Sequence, residues 1–161
     1  MIGVKVQFAS IKDAEGIVTV LREAAGWMRL KGTPAWDTSV LNRAFVEKSI
    51  AATETLIALN EGLVVGACTL SRSDPEFWPD APEGYAAYLH KLAVMRLHAG
   101  GSVSTLLIAE CERIARQWGC AKLRLDCHPN LRGLYERLGF THVDTFNKDA
   151  AFIVERLEVT L

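Results

Sequence analysis

Val4, Val6 and Phe8 alternate with Lys5 and Gln7, the two-residue period of a half-buried strand. The period then changes. Ile17, Leu21, Ala24 and Met28 recur at helical spacing behind Asp13, an N-cap residue type, and Gly32 and Pro34 stop the helix. A second amphipathic helix is predicted from about Ser39 to Ile50. Thr55–Leu59 and Leu63–Ser71 read as strands joined at Asn60-Glu61-Gly62, a hairpin signal. Residues 73–84 interrupt this regularity with Pro75, Pro79 and Pro82 and the carboxylates Asp74, Glu76, Asp80 and Glu83. A long polar loop in a small domain is more often functional than connective. It also holds Phe77 and Trp78, which a merely solvated loop does not need.

The strand Tyr85–Val94 follows, then the turn His98-Ala99-Gly100-Gly101-Ser102. Val103, Leu107, Cys111, Ile114 and Trp118 next define a helix face that ends at Gly119. Lys122–Cys127 reads as a strand, and Leu131, Leu134, Tyr135 and Leu138 as one side of a short helix closed by Gly139. Strands near Thr141–Phe146 and Ala151–Val159 finish the chain. The order β-α-α-β-β-β-α-β-α-β-β is that of an α/β domain around a mixed sheet. Without repeats or a linker, residues 1–161 are expected to form a single domain.

Composition narrows the function classes. Eighteen basic residues nearly balance nineteen acidic ones, so no long-range field favours nucleic acid or an anionic membrane. No apolar run is long enough to span a bilayer, and the first ten residues lack a signal-peptide pattern. A cytoplasmic protein is expected. Cys68, Cys111, Cys120 and Cys127 show no C-x-x-C spacing, which favours reduced, packed thiols over a metal site.

The stretch from Tyr88 to Trp118 carries the most chemistry. A helix N-terminus offers unpaired backbone N–H groups and the positive end of its dipole, and small preceding residues let a phosphate reach them. Gly100, Gly101, Ser102 and Ser104 are small, although many glycine turns only connect elements.

YLHKLAV, HAGGSVSTLL, LRLDC and LYERLGF occur in that order. Together they resemble the GNAT acetyltransferases, especially bacterial small-molecule members, which read Y-L-H-R-L-A-V, H-A-G-R-G-L-G, L-R-L-D-C and Y-Y-E-x-L-G-F. AAGW before Trp36, and SRSDPEFWPD, extend the resemblance over nearly the whole chain. It implies a GNAT fold, with a mixed, mostly antiparallel sheet of six to seven strands and about four helices. It also implies acetyl-CoA as cosubstrate, bound between the Tyr85–Val94 and Lys122–Cys127 strands. By resemblance, the pantetheine arm pairs with Leu92, Ala93 and Val94. The pyrophosphate sits on Ala99, Gly100, Gly101, Ser102, Val103 and Ser104, with Thr105 behind.

Tyr135 matches the family tyrosine that protonates the departing CoA thiolate. A tyrosine stays protonated to about pH 10, above a thiol near ~8.5, so it can supply that proton at neutral pH. Periodicity alone instead places Tyr135 in the apolar stripe of its helix. Two departures from the family stand out. The usual Q/R-x-x-G-x-G/A turn loses its first side chain at Ala99 and has serine at both later glycine positions, Ser102 and Ser104. DCHPNLRGLY is also shorter than the family's D-C-x-x-x-N-P-x-L-x-x-Y-Y, so Asn130 is not equated with the family asparagine.

An alkylamine with pKa near ~10.4 is protonated at pH 7, and deprotonating it there costs about 4.6 kcal/mol. His90 is one candidate acceptor for that proton, on the same strand face as Tyr88. It matches the second histidine of the H-L-H-V-L-A-V pattern in arylalkylamine-type members, whose histidines act through water. The carboxylates Asp74, Glu76, Asp80 and Glu83 and solvent relays are the alternatives. No metal is expected, because neighbours in Asp126-Cys127-His128 point to opposite faces. Trp36, Trp78, Tyr85 and Tyr88 are candidates for an aromatic acceptor pocket.

The expected function is acetyl transfer to a primary amine of a small molecule by direct attack, backbone N–H groups near Val94 steadying the oxyanion. The alternative is a non-catalytic acyl-CoA-binding or regulatory module with a degenerate pyrophosphate turn. Neither nucleic acid nor membrane is an expected partner, and a homodimer is the assembly that similar proteins commonly form.

Overall fold

The computed structural model describes residues 3–33, 36–149 and 151–161. Among these residues seven strands make one mixed sheet: β1 (Lys5–Phe8), β2 (Glu54–Asn60), β3 (Leu63–Ser71), β4 (Ala86–Val94), β5 (Lys122–Cys127), β6 (Thr141–Asp149) and β7 (Phe152–Thr160). Their order is β1-β2-β3-β4-β5-β7-β6. Among the described residues four α-helices accompany them: α1 (Ala14–Leu30), α2 (Arg43–Ala52), α3 (Val103–Gln117) and α4 (Arg132–Arg137). This is the expected mixed-sheet architecture. Among the described residues, no helix is long and apolar enough to cross a membrane.

The chain forms two compact units. Unit 1 comprises the described part of Met1–Leu70 with Lys91–Glu110, and unit 2 comprises Ser71–His90 with Cys111–Leu161. In unit 1 the predicted α1 face is buried at all four positions, Ile17, Leu21, Ala24 and Met28. Ile17, Leu21 and Ala24 pack with Leu41, Val46, Ile57, Ala67 and Ala93. Each Ile, Leu or Val side chain among these removed from water contributes roughly 1.5–3 kcal/mol. Asp13 does not cap α1 with its side chain; its carboxylate instead accepts the Ser10 N–H at 2.8 Å and closes a 3₁₀ turn ahead of the helix. Gly32, at φ 77, terminates α1, while Pro34 lies outside the described residues.

The second helix starts at Arg43 rather than near Ser39, because Asn42 Oδ1 accepts the Phe45 N–H and caps it there. Ser39 belongs to a turn held by Asp37 Oδ1. The β2–β3 hairpin turns on Glu61 and Gly62, at φ 51 and 82, two left-handed residues in succession as a type I′ turn requires.

In unit 2, β5 pairs antiparallel with β7 and β7 with β6. Parallel β4–β5 pairing covers only Ala86–Tyr88 against Lys122–Arg124. Cys111 and Ile114 of α3 are buried, but Trp118 lies beyond the helix, half-buried under the Arg72 guanidinium at 4.0 Å. The predicted stripe on α4 is not a core face, since none of its residues is buried and Leu134 is 40% exposed.

Gly66 on β3 marks the tightest approach in unit 1. A Cβ there would lie 2.5 Å from Val103 Cγ1 and 3.3 Å from the Ala93 carbonyl oxygen. The second neighbour is backbone and cannot rotate away. Gly66→Ala is therefore expected to destabilise the protein by about 1–3 kcal/mol, the usual range for overpacking. Chemical denaturation would measure it; unchanged stability would contradict this close approach.

Candidate active site

The predicted phosphate turn and cofactor strand both lie in unit 1. Met95 donates its backbone N–H to Val65 at 2.9 Å, and a 3₁₀ turn, Arg96–His98, leads to Ala99. Gly100 has φ 78, the one left-handed residue between Ala99 and Thr105. Ser102 sits just ahead of α3 and its carbonyl accepts the Leu106 N–H at 2.9 Å. Serine suits such a helix-entry position, and neither Ser102 nor Ser104 adopts the positive φ that would demand glycine. Gly101, Ser102 and Thr105 are exposed, Ala99 and Ser104 are half-buried, and Val103 is anchored in the interior. The turn thus presents a helix N-terminus to solvent through small residues.

Lys91 changes the reading of β4. It has φ 53 inside the strand, where a non-glycine residue rarely goes, and interrupts the alternation assumed from Tyr88 through Val94. Its ammonium lies 5.4 Å from the Trp36 ring centre. Leu92 and Val94 are half-buried and Ala93 is buried.

His90 falls in unit 2, on the other side of that irregularity in sequence. Tyr88 stands in register with Arg124, whose guanidinium hydrogen-bonds its hydroxyl. Two residues along each strand, His90 and Asp126 therefore share that face. One His90 ring nitrogen and one carboxylate oxygen from each of Asp74 and Asp126 all lie within 4.8 Å of one another. Ser71 Oγ contacts His90 Nε2 at 3.0 Å and donates its hydrogen to the Ser73 carbonyl at 3.0 Å.

The 73–84 loop is ordered by its own bonds. Asp74 accepts the Trp78 N–H with its carbonyl at 2.9 Å and the Phe77 N–H with Oδ1 at 3.1 Å. Trp78, expected as an unexplained loop aromatic, has a packing role: it is 5% exposed and clusters with Ala86 and Tyr88. The guanidinium groups of Arg124 and Arg156 lie 4.4 and 4.6 Å from its ring centre. Arg124 is also 4.9 Å from the Tyr85 ring, so three of the four candidate aromatics gather in unit 2 while Trp36 belongs to unit 1. Burial raises the Tyr88 hydroxyl's pKa, against the opposing Arg124 hydrogen bond. Of the four loop carboxylates only Asp74 is buried; Glu76 pairs with Lys148, and Asp80 and Glu83 are exposed.

Tyr135 is half-buried on α4, its ring meeting the Phe140 ring edge-on at 6.0 Å. In the shortened DCHPN segment, His128 Nδ1 accepts the Asn130 N–H at 3.1 Å.

Comparison with known proteins identifies the family of the chain. Residues 20–140 match the model of the acetyltransferase (GNAT) family. The chain belongs to that family. It is an acetyltransferase, built on a fold that binds acetyl-CoA in other members. Its relatives include a protein of the sul1 3′ region of Escherichia coli, 41% identical over 70 residues, covering 44% of this chain and 90% of that one. Another is the N-acetyltransferase YesJ of Bacillus subtilis, 26% identical over 82% of this chain and 78% of the relative. Among solved structures, PaiA N-acetyltransferase of Thermoplasma acidophilum, in complex with coenzyme A, superposes with a TM-score of 0.76. It is 18% identical, over 96% of this chain and 98% of that one.

Sequence reasoning on this GNAT acetyltransferase missed Ser71 and the joint position of Asp74 and Asp126. Along the chain Asp126 neighbours Cys127 and His128, whereas its spatial companions arrive from β4 and the loop. The one available signal was LRLDC aligned against YLH in a parallel pair, which places Asp126 level with His90 only once the register is known.

Cys127, beside Asp126, faces inward, and burial pushes its thiol up to about 12. Only about one molecule in 10⁴ then carries the thiolate at pH 8, the form that reacts. Iodoacetamide at that pH should leave Cys127 unmodified in the folded protein and label it after denaturation, as read by peptide mass spectrometry. Labelling at the rate of the unfolded chain would contradict its inward orientation.

Proposed function

We propose that this enzyme, acting as one domain, transfers the acetyl group of acetyl-CoA to the primary amine of a small molecule by direct attack. The observation that supports the reading most directly is the contact of His90 Nε2 with Ser71 Oγ at 3.0 Å, which holds the imidazole beside Asp74 and Asp126. The amine enters as an ammonium ion, gives one proton to His90, and attacks the thioester carbon as the neutral base. The C–N bond forms, the C–S bond breaks, and backbone N–H groups near Val94 steady the oxyanion between these events. Tyr135 gives its proton to the leaving sulfur and regains one, through water, from the new amide nitrogen. One proton is released per turnover, from His90 to solvent.

The cofactor reading rests on Leu92–Val94 and on the turn from Ala99 to Thr105. A phosphate at a helix N-terminus is favoured by N–H groups and dipole alike, and the left-handed Gly100 lets the chain turn ahead of them. Ser102 and Ser104 do not adopt a positive φ, which supports a phosphate turn here over a non-catalytic module.

Two substitutions test the reading. Tyr135→Phe keeps the ring that meets Phe140 and removes only the hydroxyl. The single-turnover rate is expected to fall at least ~10-fold, at the low end for a positioned proton donor, with acetyl-CoA affinity and thermal stability little changed. A folded Tyr135→Phe enzyme with wild-type rates would remove Tyr135 from the mechanism. Ser102→Glu sets a negative charge at the entrance of α3 and should weaken acetyl-CoA binding sharply in a calorimetric titration. Equal affinity in Ser102→Glu and wild type would exclude this turn as the phosphate site.

A further inference from the structure

Resting on the acetyl-CoA reading of the turn, we infer that Arg96, stacked on the Trp27 indole, supplies the cationic side chain that holds the pyrophosphate of acetyl-CoA. No residue from Ala99 to Thr105 carries a positive charge, so the turn alone offers a phosphate only N–H groups, hydroxyls and a dipole. Arg96 is the arginine or lysine nearest to it in sequence. It opens the 3₁₀ turn that runs from the end of the candidate cofactor strand to Ala99. In a 3₁₀ turn residues three apart stand one above the other, and the Ala99 N–H closes this one on the Arg96 carbonyl at 3.2 Å. Arg96 therefore leaves the chain on the side where Ala99 offers only a methyl group.

The side chain is held in place and its charge is unanswered. The Arg96 Cζ lies 3.6 Å from the Trp27 ring centre, a stacking distance. Stacking occupies a face of the guanidinium and leaves its N–H donors, which lie in its plane, for another group. Arg96 is exposed, and among the described residues its guanidinium has no hydrogen bond or ion pair. The carboxylate at hand, Glu23, accepts the Arg96 backbone N–H through Oε1 at 2.5 Å, which fixes the main chain rather than the charge. Lys31 brings a second cation, its Nζ 5.8 Å from the same ring centre, again with no carboxylate paired to it among the described residues. Two positive charges thus gather on one indole without a counter-ion. A pyrophosphate diester is doubly negative and rich in acceptor oxygens, the complement of a planar fork of N–H donors. Because the ring positions Arg96 before the ligand arrives, little of its rotamer freedom is left to lose on binding.

The test needs no turnover. Coenzyme A and 3′-dephospho-coenzyme A would be titrated calorimetrically into the wild type, Arg96→Gln and Arg96→Lys, with thermal unfolding of the three free proteins followed alongside. Arg96→Gln should weaken both ligands by the same factor, about 10-fold, the low end for a hydrogen bond to a charged group. Arg96→Lys keeps the charge without the planar fork and should recover part of that loss. The free proteins should unfold within a few degrees of one another, as exposed substitutions do. Wild-type affinity in Arg96→Gln would overturn the inference. So would a loss seen with coenzyme A and absent with the 3′-dephospho ligand, which would put Arg96 on the 3′-phosphate. A loss that Arg96→Lys does not relieve and that tracks thermal stability would also overturn it, leaving Arg96 a structural support. Failure of the wild type to bind either ligand would instead count against the acetyl-CoA reading of the turn itself.

Discussion

The candidate chemistry depends on one backbone constraint, the left-handed conformation of Lys91 within β4. An L-residue pays about 1–2 kcal/mol to sit there, because its Cβ crowds the following carbonyl. Other interactions must hold it in place. Its ammonium lies against the Trp36 ring, and two residues on Ala93 is buried among Ile57, Ala67 and the α1 face. A strand that alternated regularly would carry one side-chain parity from Tyr88 to Val94. With the interruption, the residues before Lys91 keep their register with β5, while those after it follow the packing of unit 1. Candidate proton acceptor and candidate cofactor strand are thus consecutive in sequence yet governed by different neighbours.

Several half-buried charges of unit 2 are paired, whereas one oxygen of the buried Asp74 has no partner. Asp144 is gripped by two nitrogens of Arg156, at 2.7 and 2.6 Å, and that hydrogen bonding holds its carboxyl below the ordinary aspartate range. Arg124 reaches Glu158 at 2.8 Å while stacking near Trp78 and Tyr85. These pairs fix the aromatic cluster that supports the 73–84 loop. Asp74, which that loop presents, is the carboxylate left with an oxygen unpaired, and it stands next to His90. The indole Nε1 of Trp78, in the same loop, is likewise buried without a partner.

Much of the fold was legible in the sequence because it is written in local periodicity. The α1 stripe, the left-handed hairpin turn at Glu61-Gly62 and the glycine stops at Gly32 and Gly119 all depend on residues a few positions apart. Four motifs in order were enough to identify the family. What escaped was decided by distant partners. Asn42 rather than Ser39 begins α2 because a side-chain cap competes with an amphipathic pattern, and periodicity does not see caps. Leu134 is apolar yet exposed, since a six-residue helix has no room for a core stripe. Lys91 carries no sign of a positive φ, which glycine or asparagine would have announced. The meeting of Asp74, His90 and Asp126 depends on strand register and loop path, neither of which a linear motif encodes.

The central claim is that acetyl-CoA lies along Leu92–Val94 with its pyrophosphate on the turn that opens α3. A crystal structure of the enzyme with acetyl-CoA tests it most directly. The account predicts pyrophosphate oxygens about 3 Å from backbone N–H groups between Gly100 and Thr105, and pantetheine amides paired with the β4 backbone. Pyrophosphate held instead by basic side chains away from this turn, with Leu92–Val94 unpaired to the cofactor, would contradict it.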